Sequence, residues 1–120
     1  ILCYPVIHCP DSKGVAHVGS FENLLGKGNE DQYSRFSCDE LVSDNTPPAF
    51  IWHTSEDRAV NVINSYMYAS SLRKHNIPCE LHVFPYGCHG LGIPKDMPHI
   101  AQWSELLRKW LVEIKWLSLN

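Results

Sequence analysis

Apolar residues fall in short blocks separated by polar turns, with no single long periodic stretch. Residues 1–7 form one apolar run closed by Pro5 and Pro10 and residues 49–53 a second, while residues 79–84, in which His82 alternates with Leu81 and Val83, supply a third strand ended by Pro85 and Gly87. Runs of this length, rich in β-branched and aromatic residues, predict buried parallel strands. Pro47-Pro48 forces extended backbone into the second run. After it, Ser65, Tyr68, Ala69 and Leu72 recur at helical spacing, and Lys74-His75-Asn76 ahead of Ile77-Pro78 predicts a stop at Asn76. Ile100, Trp103, Leu106, Leu107, Trp110, Leu111 and Ile114 make the apolar stripe of a final amphipathic helix, with Glu105, Arg108 and Lys109 on its wet face. Residues 20–45 are a polar excursion with two short helices, around residues 21–25 and 30–36, divided by Gly26-Lys27-Gly28-Asn29; this is the predicted cap over a site. Strands alternating with helices predict an α/β class, a parallel sheet with helices on both faces joined by right-handed crossovers.

Composition narrows the partners. A chain of 120 residues fits one domain, and such a domain buries roughly two thirds of its unfolded surface. The apolar share of 44% and charged share of 19% are ordinary for a globular protein. A net charge of −3 with scattered Lys and Arg offers no footprint for nucleic acid or an anionic membrane, and both partners are excluded. Cys3, Cys9, Cys38, Cys79 and Cys88 are odd in number and lack framework spacing, which favours reduced thiols and a cytoplasmic, reducing compartment. No apolar run approaches the ~20 residues of a membrane span. The chain opens inside an apolar run without an initiator Met and contains no Gly-x-Ser-x-Gly, so residues 1–120 are expected to be the C-terminal part of a longer domain.

In open parallel sheets the reactive crevice lies beyond the carboxyl ends of the strands, where loops converge. Asp57 follows the second strand and His89 the third, so both belong to that edge. A histidine can take a proton from a weak nucleophile and return it to a leaving group, and a carboxylate fixes its tautomer. The remaining histidines read as structural. His53 ends a strand and is expected to satisfy a backbone carbonyl; His82 points away from Leu81 and Val83; His75 sits at a helix C-terminus, where a cation is favourable. His8 and His17 are candidates for the entrance, and His99 for the surface. A zinc site of Cys79, His82, Cys88 and His89 is disfavoured, because strand positions three apart face opposite ways. Cys88 as nucleophile is disfavoured too, since adjacent side chains in an extended loop diverge.

The stretch Pro47-Pro48-Ala49-Phe50-Ile51-Trp52-His53-Thr54-Ser55-Glu56-Asp57, followed by Glu80-Leu81-His82-Val83-Phe84-Pro85-Tyr86-Gly87-Cys88-His89-Gly90, resembles the esterase/lipase branch of the α/β hydrolases, which includes carbohydrate acetyl esterases. The likeness extends through Tyr4-Pro5-Val6-Ile7 and Gly19-Ser20-Phe21-Glu22-Asn23-Leu24-Leu25-Gly26 and reaches Leu72-Arg73. It implies the C-terminal portion of an α/β-hydrolase fold, with Asp57 as the triad acid, His89 as the triad histidine and the serine elbow upstream. Glu56, the neighbouring acid, is then expected to be exposed. Asn61 stands where the family commonly carries proline, which predicts a looser turn after Asp57. The implied substrate is a small-molecule ester, with neither bound cofactor nor metal. The chain alone is expected to be inactive, and to self-associate or join the missing N-terminal part through the strand edge at Ile1. Two alternatives stay open at this level: a serine peptidase of the prolyl-oligopeptidase type, and a non-catalytic fragment or interaction module.

Overall fold

The computed structural model describes residues 1–11 and 14–118. Three parallel strands, β1 (Leu2–Cys3), β2 (Ala49–Thr54) and β3 (Cys79–Phe84), lie in sequence order with β2 in the middle. β2 and β3 pair along their whole length, from Ala49 opposite Cys79 to Thr54 opposite Phe84. β1 meets β2 only through Leu2 opposite Ile51 and Cys3 opposite Trp52. The strand expected over residues 1–7 is thus much shorter, for a local reason. Tyr4 adopts a left-handed φ of 41° and gives its N–H to the Trp52 carbonyl at 2.8 Å; Pro5 has no N–H to continue the ladder.

Alternation along β2 sorts its side chains to two faces. Phe50 and Trp52 join Phe84, Ile100, Trp103 and Trp110, so α3 (Pro98–Ala101) and α4 (Trp103–Glu113) cover one face. Ala49 and Ile51 pack with Val42 and Leu72, which brings α2 (Ile63–Lys74) onto the other. Phe50, Ile51, Trp52 and Leu72 are fully buried, each contributing roughly 1.5–3 kcal/mol or more from its apolar surface. His53 follows the alternation onto the α2 face, where Ser65 of the first helical turn meets it. Thr54 falls on the opposite side and reaches the loop after β3.

The helix predicted to stop at Asn76 does so: Asn76 takes φ 56°, and Ile77 N–H returns to the Leu72 carbonyl at 2.9 Å. His75 caps that end and pairs with Asp44 at 2.8 Å. The final apolar stripe forms two pieces divided at Gln102, which stays in the right-handed helical region with φ −62° and ψ −14°. Trp103 and Trp110 pack on the sheet as the stripe predicts, whereas Trp116 is 75% exposed.

The excursion contains α1 (Val18–Leu25) and a 3-10 helix (Glu30–Phe36), close to the predicted positions. Phe21 and Tyr33 close over Cys9, with Val6 and Leu25 at the margin, giving the segment a small core of its own. It is fastened to the chain after β1 by Cys38 N–H to the Ile7 carbonyl at 2.9 Å and by Cys9 N–H to Ser37 Oγ at 3.1 Å. His8 completes this join. Its Nδ1 lies 3.1 Å from both oxygens of buried Asp39, and its Nε2 lies 2.9 Å from Asp11. His8 is therefore a buried structural histidine and not an entrance residue. His17 likewise serves as N-cap of α1, accepting from Ser20 N–H.

Candidate active site

The loop after β2 folds back on its own carboxylate. Asp57 Oδ1 accepts the N–H groups of Ala59 and Val60, each at 2.9 Å. Asp57 Oδ2 faces two imidazoles, with His89 Nδ1 at 2.7 Å and His53 Nε2 at 3.2 Å. Burial by itself would raise the Asp57 pKa; the hydrogen bonds from Val60, His89 and Ala59 outweigh it and hold the carboxyl below its ordinary range. The turn keeps its grip despite Asn61, whose Oδ1 accepts Ile63 N–H at 3.0 Å and whose carbonyl accepts Asn64 N–H at 3.0 Å.

The loop after β3 is fixed from β2. Thr54 Oγ1 donates to the Gly87 carbonyl at 2.7 Å, and Gly87 N–H donates to Glu56 Oε2 at 3.1 Å. Only glycine suits this position: φ is 126°, and an added Cβ would lie 2.6 Å from Leu91 Cδ1. His89 emerges from this brace with its side chain 36% exposed. Because Nδ1 faces a carboxylate that only accepts, it carries the proton, and the Nε2 lone pair is left available. No described residue bonds Nε2, and a cavity of about 460 Å³ lies beside His89, lined also by Glu56, Arg58, Ala59 and Cys88. Tyr4 closes the other side of the imidazole, its ring 4.7 Å away at 66°. The arrangement is an oriented imidazole with a free basic nitrogen, suited to moving a proton at an open rim.

The two residues singled out in the sequence, Asp57 and His89, thus meet across loops from neighbouring strands. Glu56 is exposed as expected, yet it bonds Gly87 and so steadies the histidine loop. His53 does satisfy a carbonyl, that of Val60 at 3.0 Å, but its second contact, to Asp57, was not anticipated. A signal for it existed in the period-2 alternation that puts His53 beside Ile51, four positions before the acid. Tyr4 carried no such signal, since its left-handed backbone is what turns its ring to His89.

His82 contacts Glu80 at 2.7 Å, and its ring packs on Phe50, on the side away from Leu81. Burial and Glu80 push the Cys79 thiol up to about 11, which keeps it protonated. Among the described residues, the one grouping with metal-ligand atoms close together is His8, Asp39 and Glu40, which includes neither Asp57 nor His89. All five cysteines are unpaired thiols.

The sequence profile of the prolyl oligopeptidase family matches residues 14–115. The chain is 44% identical over 105 residues to endo-1,4-beta-xylanase B of Butyrivibrio fibrisolvens, an alignment covering 87% of this chain and 16% of that protein. It is 35% identical over 119 residues to the acetylxylan esterase of Xylanibacter ruminicola, covering 95% and 24% respectively. Its fold superposes on the acetyl ester-xyloside bifunctional hydrolase of Caldicellulosiruptor lactoaceticus with a TM-score of 0.89 at 42% identity, over 98% of this chain and 43% of that one. The chain spans about a sixth and a quarter of the two curated relatives. Its parallel sheet and flanking helices are part of an α/β-hydrolase fold.

Proposed function

Because the chain belongs to the prolyl oligopeptidase family, we propose that it supplies the acid and base of a serine carboxylic-ester hydrolase, with Asp57 orienting and His89 transferring the proton. The observation that carries this is the 2.7 Å bond from His89 Nδ1 to Asp57, which leaves Nε2 free at the cavity. In this reading the nucleophile is a serine of polypeptide beyond these residues, since no Gly-x-Ser-x-Gly occurs in the chain. As the serine oxygen attacks the acyl carbon, its proton passes to Nε2, and Asp57 stabilises the imidazolium. Collapse of the tetrahedral species expels the alcohol, which takes that proton. Water, deprotonated by the same nitrogen, then releases the acid and restores the serine. No bound cofactor enters these steps.

The substrate class we propose is an acetylated carbohydrate, supported by the similarity to an acetylxylan esterase and to an acetyl ester-xyloside hydrolase. The family name favours a second reading, cleavage of peptide bonds after proline. The longer polypeptide containing this chain, assayed on acetyl esters and on proline amides, decides between them. The expected result is turnover of acetyl esters, reduced by about 10³-fold or more in His89→Ala. Retention of most activity in that variant overturns the assignment of His89.

We further propose that the open edge of β1, paired on one side only, binds the strand that bears the serine. Without that strand it self-associates. A dilute sample of the chain that sediments as a stable monomer contradicts this.

A further inference from the structure

Asp57 is shared. Its Oδ2 is bonded by His89 Nδ1 and lies 3.2 Å from His53 Nε2, and Oδ1 is taken by the Ala59 and Val60 amides. His53 is fully buried, and its Nε2 faces only acceptors, the Val60 carbonyl and Asp57. That nitrogen must carry a proton. Its Nδ1 lies 2.8 Å from Ser65 Oγ, which donates its hydroxyl proton to the ring and fixes the tautomer.

We propose that His53 shares the Asp57 carboxylate with His89 and lowers the basicity of His89 by drawing charge from the common oxygen, with Ser65 as the lock on the His53 ring. The proposal rests on the assignment of Asp57 and His89 as a working pair. The His53 N–H, given to the Val60 carbonyl at 3.0 Å, lies 3.2 Å from the same oxygen that holds His89, and its positive end there draws charge from that oxygen, weakening its hold on the His89 imidazolium. Burial holds the His53 pKa below its ordinary value, although the Val60 carbonyl and Asp57 pull the other way, which favours the neutral ring. The other titratable or charged groups facing the pair are Glu56 and Arg58 on the acid's own loop, Cys88 beside His89, and Tyr4 against its ring. From α2 the groups that meet this loop and His53 are Asn64 and Ser65, neither of which titrates.

Histidine titrations by NMR on the chain itself test this without any activity assay, with His89 assigned by its loss in His89→Ala. His53→Leu removes the donor and is expected to raise the His89 pKa by roughly half a unit or more. His53→Gln, whose amide can still donate to Asp57 and accept from Ser65, is expected to restore the native value. An unchanged or lowered His89 pKa in His53→Leu overturns the proposal, because mere loss of alignment would remove the carboxylate's support and lower it. The unmutated chain gives a second test should the leucine variant not fold. Its His53 ring nitrogens are expected to show a protonated Nε2 and a bare Nδ1, unchanged from pH 5 to 8 by expectation for a locked neutral ring. A titrating His53, or the opposite tautomer, overturns the proposal. These readouts are independent of substrate turnover, so a chain that hydrolyses no ester can still show the coupling, and an active one can lack it.

Discussion

The ring of Tyr4 stands against the imidazole of His89, 4.7 Å between centroids, and against the indole of Trp52 at 5.0 Å. A residue from the end of β1 thus joins the histidine loop to the core of the sheet, through Trp52 and its stacking partner Trp103. Packing of this kind is worth about 0.5–1.5 kcal/mol per aromatic pair. Tyr4→Phe is expected to keep near-native ester turnover in the longer polypeptide. Tyr4→Ala is expected to lower kcat by roughly 3- to 10-fold, the same energy expressed as a rate.

Asp57→Asn preserves shape and removes charge. Turnover is expected to fall by about 10⁴-fold, since the amide can no longer fix the productive tautomer of His89. Stability changes in a defined direction with pH. The folded carboxyl titrates below its ordinary value of 3.8, so its stabilising contribution is complete above that pH and is lost as pH falls through the lowered folded value. Urea unfolding of the native chain and Asp57→Asn is expected to show a weaker acid dependence in the variant. An identical dependence in both would contradict the hydrogen-bonded carboxylate.

At Gly87, substitution by alanine puts a methyl group 2.6 Å from Leu91 at a φ that side chains avoid. The expected cost is about 1–3 kcal/mol, read as a lower midpoint in thermal or urea unfolding. Turnover is expected to drop as well, because Leu91 and the His89 loop must shift together.

Asp39→Ala removes a carboxylate from a buried imidazole. The result expected is destabilisation by roughly 3 kcal/mol. Proteolysis should be faster within residues 20–45, which depend on this join. Equal cleavage rates in the variant and the native chain would show that Phe21 and Tyr33 hold the segment unaided.

Much of this molecule can be read locally. β2 is a short apolar run and β3 an alternating one, with bounds set by Pro48, Pro78 and Pro85, and the 3-10 helix follows its flanking Gly28-Asn29. Asp57 and His89 were legible because each directly follows a strand, and parallel strands bring such loops to one rim. What escaped was set by tertiary contact. β1 ends at Cys3 because Tyr4 turns left-handed to reach Trp52. His8 is buried because Asp39, distant in sequence, comes to meet it. Alternation puts His53 on the face of Ile51, but its contact with Asp57 also requires the loop to curl back through Ala59 and Val60, which alternation alone does not announce.

Gly87 is gripped at both ends of its residue from the neighbouring strand, Thr54 holding the carbonyl and Glu56 the amide. Asp57 and His89 therefore ride on a common chassis, and their alignment is inherited with a single compact stretch of polypeptide. A change in the surrounding loops can then reshape the cavity beside His89 while leaving its pairing with Asp57 intact.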